Sequence, residues 1–253
     1  MKKTFLLFLL IPAIFLVISC GGSEEAGPAG EVEKITVETE PAGEVEEVEK
    51  ITVEKRCLVE QDNEEAEILL EVPVLSGLPD RSLQERINQD FEKKALDFQN
   101  ESLEPLAEYR EEMEENGLDP NPFVVHTTFT VPFNQRGLLS INTTYYSYQG
   151  GAHGYTSMET LNLDINTGKI LRLEDFFEPG EDYQRIILEE IHRQIEASPE
   201  NFFEDARETL STIPQDQPFY IGDGYIVVYF DLYYLAPYAY GMPEFKIPVA
   251  VMP

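Results

Sequence analysis

Tryptophan is absent from these 253 residues, histidine occurs three times and cysteine twice. Basic residues are scarce as well: 18 Lys and Arg stand against 48 Asp and Glu, for a formal net charge of −30. Each shortage excludes something. Two cysteines far apart cannot build a disulfide framework, so stability has to come from a hydrophobic core. A strongly acidic surface repels nucleic acid and anionic headgroups and attracts cationic partners. There is no glycine-rich phosphate loop before a helix, no Gly-x-Ser-x-Gly, no His-Glu-x-x-His and no cysteine pair at zinc spacing. The three histidines, His126, His153 and His192, fall on an expected strand, loop and helix, so a metal site would need distant segments to converge. No cofactor and no metal site is expected from these patterns.

What is present begins with Lys2 and Lys3 and an apolar run from Phe5 to Ile18. A basic start followed by a short apolar run reads as a secretory signal and is too short for a confident membrane span. It ends Val17-Ile18-Ser19-Cys20-Gly21, which resembles the lipobox of bacterial lipoproteins. That resemblance implies a signal peptide over 1–19 and lipidation of Cys20, placing the chain outside the cytoplasm, anchored by acyl chains to a bacterial membrane. The alternative is an ordinary signal peptide with a chance cysteine. Cys57 is then the one remaining thiol.

Residues 20–54 contain a duplication: "EVEKITVE" occurs at 31–38 and at 47–54, and "PAGEVE" at 28–33 and 41–46. Two copies fall short of a solenoid. The acidic composition, punctuated by Pro, Gly and Ala, reads as a disordered, self-repelling tether, although its Val/Ile/Thr alternation has strand character.

Folded sequence is expected from about Lys55. "EAEILLEVPVLS" reads as a strand, and a helix follows with a capping-box pattern at Ser82-Leu83-Gln84-Glu85. Leu83, Ile87, Phe91, Ala95 and Phe98 form its apolar face. A second helix ends at Asn116-Gly117. From Phe123 the period changes to two, and hairpin signals at Asn134–Gly137 and Asn166–Gly168 predict a meander of about four antiparallel strands ending in "KILRLEDFF". A helix bearing Tyr183, Ile187, Ile191 and Ile195 follows, then a short helical stretch at Leu210. A hairpin turns on Gly222-Asp223-Gly224, and "PEFKIPVAVM" returns to the sheet. The fold class is α+β, an antiparallel sheet with helices packed on it. The expected organisation is a smaller region over 55–135 and a second domain over 136–253.

Two features are candidates for function. Gly150-Gly151-Ala152-His153-Gly154 places glycines around a histidine. Gly150 and Gly151 permit positive φ or close backbone approach. The cluster reads either as a bulged connection with His153 bonded to backbone or as a ligand-facing loop. The segment "YFDLYYLAPYAYGMPEF" crowds Tyr233, Tyr234, Tyr238 and Tyr240 around Pro237 and Gly241, which suits recognition surfaces and sugar stacking; core packing is the plainer reading. Asp164, Glu174, Asp175, Asp223 and Asp231 lie in or near loops and are the carboxylates open to acid–base chemistry, although Asp164 and Asp223 are ordinary turn residues.

"GGAHGYTSMETLNLDINTGKILRLEDFF" and "YFDLYYLAPYAYGMPEFKIP" together resemble the RsiV-like extracellular domain, known from an anti-sigma-V factor and from PdaC-type peptidoglycan deacetylases. "ILLEVPVLSGLPDRSLQERINQDF" resembles the smaller domain fused before it. The resemblance covers about 65–251. It implies an envelope-exposed α+β module that in the anti-sigma factor binds lysozyme directly. No deacetylase domain and no sigma-binding segment is recognisable in this chain, so neither activity carries over. The expectation is a lipid-tethered binding module for a basic, lysozyme-like muramidase, with a peptidoglycan-binding lipoprotein as the alternative and a hydrolase using His153 or loop carboxylates third. Gly150, Gly151, His153, Tyr233, Tyr234, Tyr238 and Tyr240 are its expected ligand-facing residues.

Overall fold

The computed structural model describes residues 51–249, 252 and 253. The signal sequence, Cys20 and all of the tether before Ile51 lie outside the described residues. Among the described residues, eight strands and four α-helices follow in the order β1 (Thr52–Asp62), β2 (Ala66–Ser76), α1 (Arg81–Leu103), α2 (Leu106–Glu115), β3 (Phe123–Gln135), β4 (Leu138–Tyr148), β5 (Tyr155–Asp164), α3 (Tyr183–Ala197), α4 (Ala206–Thr209), β6 (Phe219–Gly222), β7 (Tyr225–Tyr229) and β8 (Glu244–Pro248).

The first strand starts three residues before the expected Lys55. The end of the second repeat copy, Ile51 to Glu54, leads into β1, with Ile51 buried in the core. Its Ile-Thr-Val alternation pairs once β2 offers a partner. The capping residue of α1 also differs from expectation. Asp80, not Ser82, caps the helix, its carboxylate accepting from the Leu83 N–H at 2.9 Å. An acidic side chain one position before the first helical residue satisfies an orphan donor that a serine inside the first turn cannot.

Five strands form one sheet in the order β1-β2-β3-β4-β5, antiparallel except for the parallel pair β2–β3. That pair needs a crossover, and α1 and α2 provide it. The β3–β4 turn places Arg136 at φ 55° and Gly137 at φ 77°, the paired positive angles of a type I′ hairpin. The division expected at 135/136 falls in this turn, inside the sheet. The meander stops at three strands. "KILRLEDFF" contributes only a single bridge, Leu163 to Ile170, before a 3-10 turn over Leu173–Phe176. Leu171, Leu173 and Phe176 are drawn into the core instead, which pulls the chain off the sheet edge.

The last three strands form a separate sheet, β6-β7-β8. Alternation along β4 shows how the layers stack. Leu139 and Ile141 face α1 in a cluster with Leu163, Leu75 and Ile51. Leu138, on the opposite face, joins Phe133 and the residues of β6, β7, β8 and α3 in the largest core cluster. The order of layers is thus α1, five-stranded sheet, three-stranded sheet, α3.

Between the two sheets the contact is polar as well as apolar. Ser140 donates to Asn162 Oδ1 (2.7 Å) and accepts from the Ile221 N–H (3.2 Å). Asn162 Nδ2 donates to the Phe219 carbonyl (2.8 Å). Beside them Thr160 donates to Asn142 (3.1 Å), and Gln217 donates to the Tyr229 carbonyl (2.7 Å). Ser140, Asn142, Asn162 and Gln217 are all buried. Among the described residues no helix is long and apolar enough to cross a membrane.

Candidate functional site

The connection from β4 to β5 is residues 149–154. Gly150 adopts φ +81°, and a Cβ there would strike the Tyr109 ring at 2.4 Å. Gly154 has an ordinary φ, but a Cβ on it would meet the Tyr146 ring at 2.4 Å. The loop therefore closes on two tyrosines, and glycine is needed once for conformation and once for space. Gly151 meets nothing within 4 Å and has no positive φ, so neither reason applies to it.

His153 stands exposed on this loop. Its Nδ1 lies 2.9 Å from the Gly154 carbonyl, and its Nε2 lies 2.9 Å from the Tyr233 hydroxyl. A neutral ring protonated on Nδ1 satisfies both contacts, donating to the carbonyl and accepting from the phenol. Tyr238 donates its hydroxyl to the same Gly154 carbonyl at 3.0 Å, filling that oxygen's second lone pair. The His153 and Tyr238 rings stack, with centroids 3.9 Å apart and planes inclined by 22°. Tyr233 and Tyr238 lie 5.7 Å apart.

The glycine–histidine loop and the tyrosine segment thus meet, eighty residues apart in sequence. Tyr233 is held at φ +66°, the left-handed region that a tyrosine seldom occupies, and is 48 % exposed. Tyr234 and Tyr240 are also exposed and pack on other rings. Tyr234 stacks on Phe230 with planes 9° apart, and Tyr240 packs against Phe202. His153 is thus bonded to backbone and at the same time stands in an exposed aromatic cluster with Tyr233 and Tyr238. Sequence reasoning missed the Gly154 carbonyl as the shared acceptor, and Tyr109 and Tyr146 as the rings that fix the glycines. Nothing in a one-dimensional pattern marks a carbonyl or a ring that approaches from another strand.

The other histidines do not join this site. His126 contacts Glu67 at 3.0 Å, and His192 bonds the Leu210 carbonyl at 2.9 Å. The loop carboxylates are separated too. Asp164 accepts from the Asn166 and Thr167 amides in its own turn. Asp175 pairs with Lys169, and Asp223 with Arg136. Among the described residues no group of three His, Cys, Asp or Glu side chains is placed to hold a metal ion.

Comparison with known proteins adds to this geometry. Residues 59–156 match the family model described as deacetylase PdaC, and residues 174–250 match a family of unknown function, DUF3298. The anti-sigma-V factor RsiV of Bacillus subtilis is 26 % identical over 203 residues, covering 77 % of this chain and 67 % of that protein. The peptidoglycan-N-acetylmuramic acid deacetylase PdaC of the same organism is 28 % identical over 151 residues. That match covers 57 % of this chain but only 30 % of the deacetylase. A crystal structure of a DUF3298 family member from Bacteroides fragilis covers 78 % of this chain and 89 % of its own, with a TM-score of 0.56 at 20 % identity, which shows a common fold. The chain carries an RsiV-like, PdaC-like module, with residues 59–156 similar to the PdaC family model and residues 174–250 to that of DUF3298.

Proposed function

We propose that this chain is an exported, lipid-anchored module of the bacterial envelope whose His153–Tyr233–Tyr238 face binds a basic muramidase of the lysozyme type. Similarity to an anti-sigma-V factor and to a peptidoglycan deacetylase supports the envelope setting. The observation that carries the finer reading is the exposed aromatic cluster itself. Two segments far apart in sequence converge there, and one of its tyrosines sits in a costly backbone conformation at the surface. The net charge of −30 gives long-range attraction to a cationic enzyme, an attraction that salt screens. The lipobox at Val17–Gly21 supplies the anchor.

The test is titration of the protein with a basic lysozyme at low and at physiological salt, using the native protein and a Tyr233→Ala, Tyr238→Ala variant. Saturable, salt-sensitive binding that the double variant loses supports the proposal. Equal binding by the variant moves the site elsewhere, and no binding removes the lysozyme reading. One observation favours a second ligand. Tyr234 stacks on Phe230 with one face of its ring covered while the residue is 44 % exposed, which suits stacking on a sugar. Retention on insoluble peptidoglycan that is indifferent to salt and lost in Tyr234→Ala would support that alternative.

A further inference from the structure

Strand β5 is one edge of the five-stranded sheet. Which of its backbone groups face outward is fixed by the chain itself. The Asp164 N–H donates to the Lys169 carbonyl (2.9 Å), and the Leu171 N–H donates to the Asn162 carbonyl (2.9 Å). Even-numbered residues of β5 therefore point away from β4, and the β4–β5 register is unbroken. The Met158 carbonyl confirms this, since it accepts the Tyr229 hydroxyl at 3.2 Å. By the same alternation the N–H groups of Thr156, Met158 and Thr160 face outward too. Lys169-Ile170-Leu171 starts a sixth strand antiparallel to β5 and then leaves it, ending the pairing at Asn162.

Two cavities flank the stretch that this short strand leaves open. One, of about 390 Å³, lies between α1 and the sheet, lined by Leu83, Ile87, Phe91, Leu161 and Ile170. Thr143 also lines it; this threonine is buried and its hydroxyl has no hydrogen-bond partner. The other, of about 680 Å³, is more polar, with Asn162, Arg172, Asp216, Gln217 and Tyr229. Glu159, Thr160, Lys94 and Ile170 line both. Glu159 and Thr160 are consecutive on the edge strand, so their side chains point to opposite faces. An added strand would send alternate side chains into the two cavities, which is how strand-addition sites acquire specificity.

We infer that the β5 edge over Thr156–Thr160 is a binding site for an extended peptide of a partner protein, added antiparallel to β5, with aliphatic residues entering the α1-side cavity and basic residues alternating with them. Three observations set this chemistry. The α1-side cavity presents Leu83, Ile87, Phe91, Leu161 and Ile170 beside the charged Arg86, Asp90, Lys94 and Glu159. The strand that already occupies this edge reads Lys169-Ile170-Leu171-Arg172, basic at its ends and aliphatic between, and Ile170 is 50 % exposed beside the open stretch. The chain's net charge favours a cationic ligand. The opposite edge, β1, carries Lys55, Arg56 and Glu60 at exposed positions, the charged pattern that discourages pairing. This site is independent of the His153 cluster and of the function proposed for it.

The probe is a fluorescein-labelled hexapeptide of alternating lysine and isoleucine, titrated into the full chain in detergent. A peptide of the same composition with its three lysines grouped is the charge control. The alternating peptide is expected to bind at least about tenfold more tightly than the control. It should slow hydrogen exchange at the amides of Thr156, Met158 and Thr160. Met158→Pro removes one outward N–H without breaking a β4–β5 hydrogen bond, a position an edge strand tolerates, and is expected to weaken binding about tenfold. Equal binding of the two peptides, no slowing at those three amides, or undiminished binding to Met158→Pro would each overturn the proposal. So would concentration-dependent protection of the same amides without peptide, which would assign the edge to a second copy of the chain. The exchange measurement on the native protein stands even if the proline variant does not fold.

Discussion

Replacing Tyr233 separates what this residue does for the fold from what it does for the surface. At φ +66° a side chain bearing a Cβ costs about 1 kcal/mol relative to glycine, because the Cβ crowds its own backbone. The hydroxyl's bond to His153 is solvent-accessible and contributes about 0.5–1 kcal/mol, and the half-exposed ring adds about 1 kcal/mol through Tyr238 and His153. Tyr233→Ala keeps the strain and loses both contacts, so it should destabilise by about 2 kcal/mol. Tyr233→Gly loses the same contacts but relieves the strain and should destabilise by about 1 kcal/mol. The order is the reverse of that at an ordinary position, where glycine is less stable than alanine by about 0.5–1 kcal/mol. Urea denaturation of the three proteins, followed by tyrosine fluorescence or far-ultraviolet circular dichroism, measures the difference. An alanine variant as stable as the glycine variant, or more so, would refute the strained conformation and with it the argument that this tyrosine is retained for the surface.

Two further outcomes follow from the buried polar layer. Asn162→Ala removes the acceptor of Ser140 and the donor to Phe219, leaving two buried groups unpaired; a loss of about 2–4 kcal/mol is expected in urea denaturation, with Ser140→Ala adding much less on top of it than alone. Burial pushes the Tyr229 phenol up to about 12 from its ordinary value near 10, so its contribution is complete below pH 10 and is lost as the pH rises towards 12; stability measured across that window should fall, and Tyr229→Phe should flatten part of the decline.

The parts of the fold that were legible share one property: the residues that form them also stabilise them locally. The Asn134–Gly137 turn, the Ile187/Ile191/Ile195 stripe and the Gly222–Gly224 hairpin carry their own geometry. The misread parts depend on partners elsewhere. Ile51-Thr52-Val53 belongs to the acidic repeat by composition, yet Thr52 and Val53 pair with β2, a partner that composition does not show. "KILRLEDFF" has strand alternation, yet Leu171, Leu173 and Phe176 gain more by entering the core beneath the small sheet than by extending β5. The candidate site shows the same division. His153 and the tyrosine segment stood out as odd compositions, one for its glycines and one for its rings. That they would meet, and that Tyr234 and Tyr240 would turn away to Phe230 and Phe202, is a property of the sheet–sheet stacking. Ser140, Asn142 and Asn162 were illegible as an interface, because polar residues alternating along a strand read as a solvent face.

That interface bears on how separable the two matched regions are. The PdaC-type match ends at 156 and the DUF3298 match begins at 174, which would suggest two modules joined by a linker. The intervening residues instead include most of β5 and the stub beside it, and β5 lies against the second sheet. Phe133 and Leu138 of the first region are buried in one cluster with Phe219, Ile221, Ile226 and their neighbours. Cut at residue 173, the first region would expose those two side chains together with Ser140, Asn142 and Asn162, an apolar and polar face with no partner. Its buried polar groups could find water, but the apolar area could not. A fragment spanning 46–173 is therefore expected to be aggregation-prone or to lack cooperative unfolding, while 46–253 unfolds in one transition. Calorimetry on both decides it. A sharp, reversible transition in the shorter fragment would show that the five-stranded sheet and α1 suffice, and that the second sheet is an addition to a finished domain rather than half of one core.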